Sequence, residues 1–283
     1  MIALGPKWWQ WPTVLSLDAP AVALLWQRLL ARSAGARLGA APVFVLGASV
    51  WLAYAADRWI EGWRLHPEHI RTQRHHFYQS WRWPIGALWA AVLGADVAVA
   101  IEGLGRREFL AGLALVGAVA AYLLSHQLVH RHHRWRAPKE LCVALLLAGG
   151  VAVFIVAPAP VRWRGVAMPL ALFGLLCFAN CALISVWEDA VDQSHGQTSL
   201  SRQFRRGRSF SRALPWATAA IALCLCLRLP GPQRAAAACG VASGLLLAGL
   251  DGAEARLGRE RARVLADVAL MTPLVPLLTA LCR

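Results

Sequence analysis

Acidic side chains are scarce in this sequence: 15 Asp and Glu stand against 29 Lys and Arg in 283 residues. Charge of either sign is scarce as well, at 16%, where soluble domains carry about 25%. Together these shortages exclude an ordinary soluble domain, whose surface would need far more charge. No CxxC pair is present, and the seven cysteines (142, 177, 181, 224, 226, 239 and 282) lie in or beside apolar runs. A zinc quartet is therefore excluded, and these residues read as small buried hydrophobes. Low-complexity segments and long linkers are absent, so residues 1–283 read as a single domain. The N-terminus lacks a basic region followed by an apolar stretch and a small-residue cleavage site, so no signal peptide is expected.

What the chain has instead is hydrophobic length. Apolar residues make up 58% of it, and the mean hydropathy is +0.49. A spanning helix needs about 20 apolar residues, and nine candidates meet that at about 13–31, 38–60, 84–104, 108–126, 140–158, 167–188, 213–230, 234–251 and 263–281. The expectation is an all-α, polytopic membrane bundle of nine helices. The net charge of +14 does not point to nucleic acid, because the arginines fall in short clusters between apolar runs. That distribution belongs to loops facing an anionic membrane surface. Most of the basic residues fall with the N-terminal tail and the loops after spans two, four, six and eight, which places that side in the cytoplasm. All nine histidines fall there or at its boundary. A bacterial-type cell membrane with an inside N-terminus is the expected location.

Against so few acids, two pairs stand out. Glu188 and Asp192 close the sixth span within NCALISVWEDAVDQSHGQTS (180–199), and Asp57 and Glu61 close the second. Each pair is spaced four residues apart, so its carboxylates share one helix face. Like charges at that spacing repel, and carboxylates beside lipid are costly. They persist when a cation holds them or when the helix end is well solvated. Facing one another across a bundle, two such pairs suit Mg²⁺, which takes oxygen ligands and binds through one or two carboxylates plus substrate phosphates. Arg71, Arg74, Arg131 and Lys139 in neighbouring loops then suit diphosphate oxygens. Asp189 is a reserve ligand, and Asn180, two turns before Glu188, is a polar contact inside the cavity.

These motifs resemble those of the UbiA superfamily of intramembrane prenyltransferases. Asp57-Arg58-x-x-Glu61-Gly62 is similar to the ending of that family's first acidic motif. Glu188-x-x-x-Asp192-x-x-x-Gly196-x-x-Ser199 is similar to its second, and His130-Arg131 through Pro138-Lys139-Glu140 to its basic middle loop. The resemblance implies a helical bundle with a cavity open to lipid, in which Mg²⁺ binds a polyprenyl diphosphate. Loss of the diphosphate would leave an allylic cation for an aromatic or lipid acceptor. By position, Asp57, Glu61, Glu188 and Asp192 become the metal and catalytic residues. Arg71, Arg74, Arg131 and Lys139 become the diphosphate ligands.

One departure matters. Where the family opens its first motif with Asn-Asp, this chain has Ala53 and Tyr54, so Tyr54 lines the cavity where a metal-side group is expected. That change fits a different acceptor, weaker metal binding, a terpene cyclase using the same ionisation, or lost activity. Two other classes compete. His126-x-x-x-His130-x-His132-His133, with His66, His69, His75 and His76, suits iron in a membrane desaturase or hydroxylase. That architecture, however, needs a third histidine box late in the chain, where only His195 stands. Asp18, Asp96, Glu102 and Asp267, within or beside spans, suit a non-catalytic transporter or scaffold. Its polar site would then sit near the midplane rather than at one interface.

Overall fold

The computed structural model describes residues 5–64, 72–125, 138–194 and 199–280. Among these there is no strand. The helices are α1 (Trp11–Val14), α2 (Asp18–Ser33), α3 (Ala40–Arg64), α4 (Gln73–Ser80), α5 (Arg82–Gly103), α6 (Arg106–Leu124) and α7 (Lys139–Val156). They continue as α8 (Trp163–Trp187), α9 (Asp189–Ser194), α10 (Leu200–Gln203), α11 (Gly207–Arg228), α12 (Gly231–Leu257), α13 (Arg259–Ala269) and α14 (Leu274–Thr279). An all-helical answer is what lipid demands, since a helix satisfies its own backbone polar groups where no water is available.

Seven of these helices (α3, α5, α6, α7, α8, α11 and α12) are long and apolar enough to cross a membrane. The protein is an integral membrane protein. α8 is the axis of the bundle: it packs against α2, α7, α11, α12 and α13, and it is the most buried span. At 25 residues it is about 37 Å long, more than the roughly 30 Å hydrocarbon core. α6 is the opposite case. None of its residues is buried, and it packs mainly on α7.

The expected first and last spans differ from the simple pattern. Residues 13–31 form no straight helix: the segment Trp8–Val14 meets α2 at 75°. Counted as one broken span, the pair brings the total to eight. The bend lies at Leu15–Leu17, where Ser16 adopts φ 59, a left-handed conformation costing about 1–2 kcal/mol for a residue with a Cβ. Asp18 begins α2 and accepts the Ala19 N–H at 2.9 Å, so it ends a helix rather than sitting inside one. Residues 263–281 likewise divide into α13 and α14, each too short to cross, around a turn that includes Pro273. Nine continuous spans are therefore not what the described residues form.

One contact joins these broken ends, and another sets the spacing of α11 and α12. Trp26 of α2 is fully buried, stacks on Phe173 of α8 at 5.0 Å, and donates its indole N–H to the Leu270 carbonyl at 2.8 Å. α12 comes close to its neighbours through glycine. A Cβ on Gly244 would meet the backbone N of Ala219 at 2.9 Å and the Pro215 carbonyl at 3.0 Å.

Candidate active site

Charged residues gather at the end of the bundle where α3, α8 and α12 stop and α7 starts. Glu188 caps the C-terminus of α8. Its Oε2 accepts from Arg74 Nη2 at 3.1 Å and from Arg263 Nη1 at 2.5 Å, and all three side chains are largely buried. Burial alone would push the Glu188 carboxyl up, but Arg263 and Arg74 outweigh it and hold the group far below the usual carboxylate range. The two arginines divide unequally. Burial and the facing Arg263 lower Arg74, whereas Glu188, Asp267 and Asp18 overcome burial at Arg263 and raise it. Both stay charged, as guanidinium does in proteins.

Glu61, from the end of α3, is also engaged. His75 Nε2 lies 2.8 Å from its Oε2, while His75 Nδ1 pairs with Thr72 Oγ1 at 2.6 Å. Between them stands Arg58, the basic residue of the first motif. Its Nη1 donates to the Thr13 carbonyl at 2.5 Å and to Ser16 Oγ at 2.8 Å, and Ser16 Oγ pairs with Tyr78 Oη at 2.8 Å. Arg58 therefore ties α3 to the left-handed turn before α2, and Tyr78 ties α4 to the same turn.

Deeper in the bundle, Asn180 Nδ2 donates to Asp267 Oδ1 at 2.9 Å. The Asp267 carboxyl in turn lies beside that of Asp18. Burial, then the adjacent Asp18, pushes Asp267 up against the opposing pull of Arg263. Tyr54 lies within electrostatic reach of Asp18, Asp267, Cys177 and Cys181.

The remaining expected residues are placed as follows. Asp57 lies within electrostatic reach of Tyr122. Lys139 begins α7 and acts electrostatically on Glu61. Next to it, Glu140 accepts the Leu200 N–H at 3.0 Å. Asp189 is partly exposed, with its Oδ1 buried 3.6 Å from Arg202 Nε. The Asp192 side chain, Arg71 and Arg131 lie outside the described residues, as do the histidines at 66, 69, 126, 130, 132, 133 and 195. Sequence reasoning missed Arg263, Asp267 and Asp18 as site residues. The available signal was Arg263 and Asp267, four apart inside a stretch read as a span, since an ionisable pair within a membrane segment marks a functional position.

The donor set among the described residues does not fit Mg²⁺. That ion needs several oxygen ligands in near-octahedral array. Here Glu188 Oε2 is shared by two guanidinium groups, Glu61 is bonded to His75, and residues 53 and 54 supply an alanine and a tyrosine. Among the described residues, no three His, Cys, Asp or Glu come together as a metal site.

An apolar groove of about 850 Å³ runs between α2, α3 and α5. It starts at Leu15 and Leu17, on either side of Ser16, and is lined by Leu24, Phe44, Trp51 and Leu88.

No family model matches the sequence, and no curated protein does. A solved structure is similar: the apo form of a UbiA homologue from Aeropyrum pernix, with a TM-score of 0.63 over 94% of this chain and 98% of that one, at 16% identity. The fold is UbiA-like. The ends of α3 and α8, where the two acidic motifs lie, thus converge within a UbiA-like bundle. The acids there are met by Arg74, Arg263 and His75.

Proposed function

We propose that the protein is an intramembrane prenyltransferase, moving the isoprenoid chain of a polyprenyl diphosphate to an aromatic or lipid acceptor at the cytoplasmic face of a bacterial-type cell membrane. The observation that carries this reading is the buried Arg74–Glu188–Arg263 cluster at one end of a UbiA-like fold. Buried charge is costly in a membrane protein and marks function by default. The arginine clusters on that side support the cytoplasmic orientation.

The chemistry follows from the charges. The bond between the allylic carbon and the diphosphate oxygen breaks, and both electrons leave with the diphosphate. Cationic donors aimed at that oxygen stabilise the charge as it develops. The allylic cation then takes an electron pair from the acceptor, forming the new bond, and the acceptor's proton passes to the released diphosphate. The apolar groove beginning at Leu15 and Leu17 suits the isoprenoid chain. Exclusion of water protects the cation from quenching.

The test is an assay of the full-length protein in detergent with radiolabelled geranyl, farnesyl and geranylgeranyl diphosphates, with and without total lipids and with Mg²⁺ or EDTA. Diphosphate release with label passing to a lipid or aromatic product is expected. A labelled product formed without any acceptor would make the protein a cyclase. No release from any donor under any condition would remove the reading.

A further inference from the structure

The second acidic motif of this chain is bound to cations that the chain itself supplies. Arg74 comes from the short helix after α3, and Arg263 comes from α13, far outside both motifs. They meet on one oxygen of Glu188. We infer that Arg74 and Arg263, held side by side by Glu188, form the seat for the diphosphate, so that the donor is bound without a divalent ion.

Four observations carry this, and the inference rests on the prenyl diphosphate reading above. First, a guanidinium has five N–H donors, and Glu188 takes one from each arginine. Second, Arg263 Nε is buried with no hydrogen-bond partner. A buried donor left unmade costs free energy that an incoming acceptor recovers. Third, Arg74 and Arg263 share a single carboxylate oxygen, and burial together with the neighbouring Arg263 depresses Arg74, so a further anion is favoured beside it. Fourth, Ala53 and Tyr54 remove carboxylate and carboxamide oxygens from the opposite motif. Among the motif acids, Glu188 is thus held by arginine and Glu61 by His75.

Glu188 is in this arrangement a positioning residue. It overcomes the mutual repulsion of two buried arginines and fixes their planes, and it need not touch the donor. The forked geometry of arginine suits a diphosphate oxygen pair, which lysine meets only as a point charge.

The experiment measures binding of two probes, inorganic diphosphate and farnesyl thiolodiphosphate, by calorimetry on the full-length protein in detergent. Each is titrated in EDTA and again with millimolar Mg²⁺. The thiolodiphosphate is expected to bind in EDTA, with an affinity that Mg²⁺ improves by no more than about threefold. Arg263→Gln is expected to weaken it in EDTA by about 10- to 100-fold, the loss of a charged hydrogen bond. Arg263→Lys should recover part of that loss, since it keeps the charge and loses the fork. Thermal melts run beside each titration show that the variants are folded. If Arg263→Gln unfolds, the lysine variant alone decides, and parental affinity in it overturns the role of the fork.

Tight binding only with Mg²⁺ would overturn the inference and leave the prenyltransferase reading intact. So would unchanged affinity in a folded Arg263→Gln. Failure of both probes under both conditions would remove the inference together with the reading on which it rests.

Discussion

The carboxyl of Asp18, at the start of α2, stands next to the carboxyl of Asp267, near the end of α13. Burial and this like charge hold the proton on Asp267 well above the ordinary carboxyl range. Asn180 donates to Asp267 from the other side, so the pair closes the bundle between its second and its penultimate helix.

The raised Asp267 gives a pH dependence of definite sign. Asp267 is raised from 3.8 to about 7, so the stability it contributes is fully present below about 3.8 and is lost as the pH rises through about 7. Asp267→Asn keeps a neutral group there at every pH. Its melting temperature relative to the parent is expected to improve between pH 5 and pH 8.5. An offset that stays constant over that range would show that Asp267 does not change its protonation there.

Glu188 has the opposite sign. Its folded value lies far below the ordinary 4.5, so its contribution is present above about 4.5 and is lost as the pH falls toward the folded value. Glu188→Ala leaves Arg74 and Arg263 facing each other without a counter-charge. A loss of about 3–5 kcal/mol is expected, the range for removing one partner of a buried pair. Denaturant melts in detergent check this, and a loss under about 1 kcal/mol would mean the cluster is well solvated.

Arg58 belongs to the first motif but serves as a strut. One of its nitrogens reaches both the Thr13 carbonyl and Ser16 Oγ. Arg58→Ala is expected to destabilise the protein by about 2–4 kcal/mol, since it leaves buried acceptors unpaired. Cysteine labelling at position 16 or 17 would rise with it as the turn opens. Unchanged labelling and stability would show that Arg58 does not hold the turn.

Gly244 is a packing residue. Its missing Cβ lies 2.9–3.0 Å from backbone atoms of α11, which cannot rotate away. Gly244→Val is expected to cost about 1–3 kcal/mol or more through overpacking. Gly249, with nothing within 4 Å of its absent Cβ, is the control: Gly249→Ala should be neutral or slightly stabilising. Equal effects at the two positions would deny the close helix crossing.

The seven long spans were legible because hydrophobic length alone determines them. α3, α7 and α8 match the expected limits within a few residues; Asp57 and Glu61 lie near the end of α3, whereas Glu188 caps α8 and Asp192 falls in the separate helix α9 rather than on the same one. The first and last spans were not legible for one shared reason. Each carries an ionisable residue, Asp18 or Asp267, that reads as an intrusion in an apolar run. The two meet in the fold across 249 positions. Hydropathy is a local quantity and cannot register a partner that distant. Arg263 was hidden in the same way: it reads as one more positive-inside arginine until Glu188 is found beside it. His75 was read as one of a histidine cluster, and the structure pairs it with Glu61 instead.

The order in which the chain is made gives Arg263 a further meaning. Synthesis proceeds from the N-terminus, and domains begin to organise as they emerge. A nascent chain that has reached only α12 has Glu188 and Arg74 but not yet Arg263, and Asp18 still waits for Asp267. The charged end of the bundle is therefore complete only when α13 arrives and docks beside α2 and α8. A premature stop before residue 263 leaves the long helices in place but takes Arg263 from Glu188 and Asp267 from Asn180.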